Sequence, residues 1–559
     1  KQEKNVSLDN KRASALNFKA FDFTDEETFV LSDYSIQTVN QTENNGKSIT
    51  ILRNNKEYLC LKGNYTILKT LNCGICSTDI HRKYLPFPLP QVLGHEIVAQ
   101  SIENPSERFA IEINDHCLAH EDESPEILCL NGLQMHCPKT NCFGIRFIPG
   151  GYSPYVVVPA GCLVPIPKEI SSEAAVFIEP FGAALHAVTS TRPENNSSFA
   201  VIGPKKLGAL IVVGLYYYRK SKGLKYSITA VVRRKELKEV LLQLGADEVL
   251  SCEEATSQKR KFDVVYDTTG SSQGFELALS VCNKELHLKS TSGQNLVGFN
   301  RFTQLVVDEM NVYGFNSTNL ERILRKELKE GVKGREEGCL YCYISESTEQ
   351  LFSNILKEKE SKEISVGGSI RSIIEEWNLK LQDFNAHHIK FITHSEVVKN
   401  SQLLSKSTLI NPDLLFEADN LLTLFNSKKK NQLPFFDFAI VSNEKEVDYC
   451  IRYSEKKQTG VIKPTGSIFY YNKGVMDREK EVMSTNNSLL TFLNNKGVLT
   501  TSRCGDLAYT VSLMTEFPEI SSLLSKNMIS KVFNINSLEE AFEYAKKPEC
   551  IKSILQHNE

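Results

Sequence analysis

The sequence predicts an α/β protein: a mainly β first domain, then a doubly wound parallel sheet, with an additional α/β insertion after it. Three observations carry this expectation. Up to about residue 184, short apolar runs such as Thr66-Ile67-Leu68-Lys69-Thr70 and Tyr155-Val156-Val157-Val158 are separated by turn residues, among them Pro86, Pro88, Pro90 and Pro149-Gly150-Gly151. That is the pattern of strands without long helices. From Ser198 the order becomes strand, glycine turn, helix, strand. Later in the chain a similar alternation starts again.

In the second segment, Phe199-Ala200-Val201-Ile202 is a short apolar strand. It runs into Gly203-Pro204-Lys205-Lys206-Leu207-Gly208 and an apolar helix whose core, 207–218, is too short to span a bilayer. Ser227-Ile228-Thr229-Ala230-Val231-Val232 is the next strand, and 235–244 a helix closed by Gly245. Phe262-Asp263-Val264-Val265-Tyr266-Asp267 and a helix over 273–281 follow. Strands and helices alternating at these lengths build a parallel sheet covered on both faces.

The stretch from about 316 to 495 is rich in Lys, Glu, Ser and Asn and opens with a charged helix over 320–331. Within it, Phe436-Asp437-Phe438-Ala439-Ile440-Val441, a helix over 444–453 and Gly466-Ser467-Ile468-Phe469-Tyr470-Tyr471 form another strand–helix–strand unit. That order mirrors Phe262-Asp263-Val264-Val265 through Leu286-His287-Leu288-Lys289. An imperfect internal duplication and an unrelated α/β insertion are both open.

At 559 residues the chain has room for several domains, and 41% hydrophobic with 24% charged residues is the composition of a soluble globular protein. A net charge of −3 gives no electrostatic ground for a nucleic acid or an anionic membrane as partner. Lys428-Lys429-Lys430 is short, lacks interleaved aromatics and reads as a solvated loop. Lys1-Gln2-Glu3-Lys4 has no apolar signal core, and fifteen cysteines without a regular framework favour reduced thiols in a cytoplasmic setting. The sequons at Asn5 and Asn64 carry little weight there.

Chemistry concentrates in three motifs: Cys73-Gly74-Ile75-Cys76-Ser77-Thr78-Asp79-Ile80-His81, Leu93-Gly94-His95-Glu96 and Ile178-Glu179-Pro180. Cys76, His95, Glu96 and Glu179 offer a thiolate, an imidazole and carboxylates, the donor types of catalytic zinc with an open position. Each motif alone has a plainer reading: two buried thiols or half a zinc ribbon, a turn with a core histidine, a helix start. Their joint order ahead of the parallel-sheet pattern resembles the zinc-dependent medium-chain dehydrogenase/reductase family, the alcohol, polyol, glucose and threonine dehydrogenases.

The resemblance implies a GroES-like zinc-bearing catalytic domain over 1–184, a Rossmann-like nucleotide-binding domain over 185–316, an atypical insertion or degenerate repeat over 317–496 and a closing segment over 497–559. It implies Cys76, His95 and Glu179 as zinc ligands, the last as in the polyol branch, with Glu96 an outer partner or exchangeable ligand. Thr78 and His81 match the positions that relay the hydroxyl proton to solvent. Cys73 is expected to be a structural thiol. The family's structural zinc is not expected, because 116–137 keeps only Cys129 and Cys137 in the expected places, with His120 or His136 left for a mixed site. Gly497 to Gly505 and Met310 to Phe315 compete as the strand returning the chain to the catalytic domain. Val532-Phe533-Asn534-Ile535 and a helix over 537–546 resemble its closing elements.

For the nucleotide, the family fingerprint is Gly-x-Gly-x-x-Gly. Gly203 and Gly208 match its first and third glycines, with Leu207 before the last, but Lys205 replaces the second. The acidic residue expected after the second strand is missing: Val232 is followed by Arg233 and Arg234, which favours NADP over NAD. Asp267-Thr268-Thr269-Gly270 resembles the turn beneath the nicotinamide ribose. The implied activity is hydride transfer between NAD(P) and an alcohol, polyol or sugar-type substrate or its carbonyl, in a homodimer or homotetramer. A degenerate relative kept as a binding or assembly module is the alternative.

Overall fold

The computed structural model describes residues 14–40, 47–289, 302–315 and 497–558, and between 316 and 496 chiefly 339–345, 388–393, 408–409, 435–443, 460–470 and 485–495. Nearly all of the expected helix over 320–331, much of that over 444–453, Lys428-Lys429-Lys430 and the sequon at Asn5 lie outside the described residues. The chain divides into two compact units: Lys1–Cys129, Lys139–Gly182 and Gly505–Glu559 form the first, Leu130–Pro138 and Ala183–Cys504 the second. Among the described residues, no helix is long and apolar enough to cross a membrane.

The first unit opens with an antiparallel meander of β1 (Ser14–Phe23), β2 (Phe29–Asn40), β3 (Lys47–Arg53) and β4 (Lys56–Lys62). A second sheet is built from β5 (Tyr65–Gly74), β6 (Glu96–Ser101) and β7 (Arg108–Ile111). The short pair β8 (Asn114–Asp115) and β9 (Asn141–Cys142) stands apart, while β10 (Tyr155–Pro159) and β11 (Leu163–Pro165) extend the second sheet. Phe23, Tyr34, Ile97, Val157 and Phe542 belong to one buried cluster, so the meander and the second sheet share a core.

The second unit carries a twelve-stranded sheet. Its strands are β12 (Ser198–Ile202), β13 (Ser227–Val232), β14 (Glu248–Ser251), β15 (Phe262–Asp267), β16 (Cys282–Leu288), β17 (Asn311–Gly314), β18 (Cys339–Ile344), β19 (His388–Thr393), β20 (Thr408–Leu409), β21 (Phe436–Val441), β22 (Ile462–Tyr470) and β23 (Val498–Thr501). They lie in the order β14-β13-β12-β15-β16-β23-β17-β22-β21-β18-β19-β20. Every pairing is parallel except β17 with β23, which is antiparallel. Both runs that competed for the returning strand are therefore strands of this sheet, side by side at its centre. Val265, Leu286, Val312, Leu499, Tyr341 and Ile468 join one buried cluster.

The expected helices take shape with small differences: Leu207–Lys222 is longer, Ser272–Val281 nearly as read, and 235–244 splits into a tight turn Lys235–Leu237 and a helix Lys238–Gln243. The chain re-enters the first unit at Gly505. There it forms β24 (Ile529–Asn534), helix Leu538–Ala545 and β25 (Lys552–Gln556). β25 pairs antiparallel with β5, Leu555 opposite Cys73, which brings the end of the chain beside the first cysteine motif.

Candidate active site

β5 ends at Gly74, and Cys76 then caps the short helix Ser77–Ile80. The Asp79 carboxylate turns back to accept the Cys76 backbone N–H at 2.8 Å, which fixes the loop that presents the thiol. His95 and Glu96 stand at the start of the neighbouring strand β6, where Gly74 is the Cα partner of Glu96. A side chain at position 74 is excluded, because its Cβ would lie 2.0 Å from Glu96 Oε2. Cys76, His95 and Glu96 are thereby gathered with their ligand atoms within 4.8 Å of one another. Glu179, on helix Ile178–Ser190, does not join them within that distance.

The donors fit a zinc ion by chemistry and by what is left unpaired. His95 Nδ1 lies 3.4 Å from Asp79 Oδ1, and both atoms are buried without a hydrogen bond. Burial disfavours a charged imidazole, yet Asp79 and Cys76 together hold the His95 pKa well above its usual value. A cysteine sulfur and carboxylates around this imidazole are donors that suit a cation. Burial pushes the Glu179 carboxyl up to about 7, Glu96 adding to the rise and His95 opposing it. Thr78 Oγ1 is 3.7 Å from Cys76 Sγ, within reach of a sulfur hydrogen bond. His81 is exposed, and its Nδ1 pairs with the Ser77 carbonyl at 2.8 Å. Cys73 is fully buried and held as a thiol by that burial and by Asp79 and Glu96.

The residue that sequence reasoning missed is Lys552. Its ammonium donates to both Glu96 oxygens, at 2.7 and 2.5 Å, with both side chains almost wholly buried. Burial alone would discharge this lysine, but Glu96 and Cys76 outweigh it and raise its pKa. Glu96 is thus a charge-compensated neighbour of Cys76 and His95. No local signal could have named Lys552, which is 456 positions from Glu96 in the chain.

At the nucleotide loop, Gly203 has φ 75° and Gly208 begins the buried face of helix Leu207–Lys222. A Cβ at Gly208 would lie 2.8 Å from Thr268 Oγ1, the hydroxyl that bonds the Ile202 carbonyl at 2.8 Å. Thr268 and Thr269 therefore close on the same turn as Gly203. Lys205 is half-buried and donates its backbone N–H to Gly203 at 2.9 Å. Arg233 is exposed just beyond β13, with Arg234 at the start of the following tight turn. At the carboxyl end of β16, Lys289 Nζ donates to Ser502 Oγ at 3.0 Å and to the Arg503 carbonyl at 2.5 Å.

The histidines considered for a second metal each have a carboxylate partner. His120 Nδ1 pairs with Asp115 at 2.6 Å in the first unit. His136 belongs to the second unit, where its Nε2 meets one Glu309 oxygen at 3.1 Å while His186 meets the other at 3.0 Å. Cys117 and Cys129 are buried in the first unit and Cys137 in the second.

Residues 62–168 match the alcohol dehydrogenase GroES-like domain. The chain is 25% identical over 264 residues to (R,R)-butanediol dehydrogenase of Saccharomyces cerevisiae, and 25% identical over 241 residues to L-threonine 3-dehydrogenase of Coxiella burnetii. Each match covers 39% of this chain and 66% of the relative, so the chain spans just under two thirds of those proteins. Among solved structures it is similar to L-idonate 5-dehydrogenase from Escherichia coli, with 13% identity, TM-score 0.49, and coverage of 97% of this chain and 99% of that one. Through its GroES-like match and these relatives the chain is similar to the medium-chain dehydrogenases/reductases, and its described architecture is mixed α/β.

Proposed function

We propose that this protein is a zinc- and NAD(P)-dependent oxidoreductase that moves hydride between the nicotinamide and a small alcohol, polyol or sugar-type substrate or its carbonyl. The observation that carries the reading is the convergence of Cys76, His95 and Glu96 within 4.8 Å in the GroES-like region. Two of the relatives are a butanediol and a threonine dehydrogenase, names that each carry a hydroxylated small molecule. When bound, zinc supplies a Lewis acid for the substrate oxygen, and the nicotinamide donates or accepts the hydride.

The chain's own residues divide the remaining work. Cys76 and His95 would hold the metal, with Glu179 as third ligand and Glu96 as an exchangeable one. Asp79, facing His95 Nδ1 at 3.4 Å, orients the imidazole. Thr78, next to Cys76, takes the hydroxyl proton, and the exposed His81 passes it to solvent. Gly203, Lys205, Leu207 and Gly208 receive the pyrophosphate at a helix start, with Thr268 and Gly270 beside it. Arg233 and Arg234 favour NADP by adding charge-assisted bonds to a 2′-phosphate. The cysteine usage supports a cytoplasmic setting.

The test is a turnover assay by nicotinamide absorbance over a panel of alcohols, sugars and amino alcohols, with NADH and NADPH binding followed by fluorescence. Turnover on at least one substrate is expected, lost in Cys76→Ser and lowered about 10²–10⁴-fold in Thr78→Val, as for loss of a proton-transfer group. A zinc-loaded protein that binds neither nucleotide would overturn the proposal.

A further inference from the structure

The twelve-stranded sheet repeats itself about its antiparallel joint. Outward from that joint, one side runs β23, β16, β15, β12, β13, β14 and the other β17, β22, β21, β18, β19, β20. If β12–β16 and β18–β22 are each ranked one to five along the chain, both sides read sixth, fifth, fourth, first, second, third. The sixth strands are crossed over. β17 follows β16 in the chain yet pairs with β22, whereas β23 follows β22 and pairs with β16. Each five-stranded set is completed by a strand that the chain order assigns to the other.

Side-chain detail repeats as well. In the first half, Asp263 on β15 accepts the backbone N–H of Ser198 on β12 at 3.0 Å and pairs with Lys284 on β16 at 3.2 Å. In the second half, Asp437 on β21 accepts the N–H of Tyr341 on β18 at 2.8 Å and pairs with Lys463 on β22 at 3.1 Å. The register breaks at the same place in both, directly after Phe262 opposite Cys282 and directly after Phe436 opposite Ile462. An aspartate bridging first, fourth and fifth strands beside a bulge is not demanded by a parallel sheet, so an unrelated insertion would have no reason to reproduce it.

The turns after the first strands differ. Ser345 follows β18 where Gly203 follows β12, and the stretch Ser345-Glu346-Ser347-Thr348-Glu349 has two carboxylates and no glycine. Ser345 and Thr348 are buried, bonded to each other at 2.8 Å, and Thr348 bonds Ser442 just after β21. Three hydroxyls satisfy one another where the first half has its Gly203–Thr268 turn. The two carboxylates of that sequence carry the charge that a pyrophosphate avoids.

We propose that β18–β22 are a second copy of the β12–β16 half that has lost its nucleotide site and serves as a built-in partner. It covers the β23 edge, which would otherwise offer unpaired backbone groups to a second chain. Exchange of equivalent strands between two copies is domain swapping, here enclosed in one polypeptide.

Val312 and Leu499 are Cα partners across the joint, as are Tyr313 and Val498. The full-length Val312→Cys/Leu499→Cys variant, mildly oxidised and sized without reductant, should form an intrachain cross-link at the mass of one chain, absent from either single variant. Tyr313→Cys/Val498→Cys provides the same readout if the first pair folds poorly. Cross-links between chains, or none from either pair in a protein with native circular dichroism, would overturn the proposal. The lost site rests on the proposed function: NADPH titration should saturate at about one equivalent per chain, the count for one competent half. Two equivalents would overturn that part. No binding at all would instead overturn the proposed activity, leaving the internal partner to be decided by the cross-link.

Discussion

Replacing Lys552 with methionine removes the only described cation bonded to Glu96 while keeping side-chain bulk. Glu96 is 1% exposed at its side chain and Lys552 5%, so water cannot take the ammonium's place. Removing one member of a buried pair costs about 3–5 kcal/mol, because the other charge stays behind unpaired. For a unit of roughly 150–250 residues, each kcal/mol shifts the melting midpoint by about 2–4 °C, so Lys552→Met should lower it by about 6–20 °C. Thermal denaturation of chelator-treated protein measures this without metal binding to compensate. Lys552→Met/Glu96→Gln leaves no unpaired charge and should recover at least about half of the loss, since a neutral pair is often tolerated. A single-variant shift below about 2 °C, or a double variant falling by the sum of both singles, would show that Lys552 does not compensate the Glu96 charge.

Other consequences are as direct. His557, buried with Nε2 donating to the Gly151 carbonyl at 2.7 Å, is pushed down from 6.5 to about 4 chiefly by that burial. Its neutral form is favoured in the folded state, so its contribution is complete above pH 6.5 and drains away as pH falls towards 4, by up to about 3 kcal/mol. Urea midpoints against pH should fall less steeply through that window in His557→Gln than in wild type; parallel curves would contradict this. Gly208→Ala places a Cβ 2.8 Å from Thr268 Oγ1 and should cost about 1–3 kcal/mol of stability, with nucleotide affinity reduced at least about 10-fold. Arg233→Ala/Arg234→Ala should lower NADPH affinity about 10–100-fold and leave NADH nearly unchanged, measured by fluorescence titration. Equal losses for both nucleotides would point to a general rather than a 2′-phosphate role.

The sequence made legible whatever depends on neighbours in the chain. Cys76, Thr78 and Asp79 lie within one turn, and His95 and Glu96 are adjacent, so their proximity needed only one strand pairing to be realised. The strands at 199–202, 227–232 and 262–267 were readable because buried parallel strands are short unbroken apolar runs between turns. Lys552 was not, since a single lysine has no pattern and its meaning comes from β25 lying against β5. The exchange of β17 and β23 was equally hidden. Both are buried four-residue strands, and their partners are chosen by the packing of the whole sheet. The mirrored Phe-Asp strands did show in the sequence, but any α/β unit shares their order. The repeated aspartate–lysine pairing is visible only in three dimensions.

The proposed chemistry depends on the zinc site of Cys76, His95 and their carboxylate neighbours. It is tested most directly by zinc content per chain, measured by elemental analysis on wild type and Cys76→Ser purified in parallel. Cys76→Ser should contain about one equivalent less zinc than wild type, the stoichiometry of one catalytic site. Equal zinc in the two proteins, or none in either after zinc loading, would contradict it.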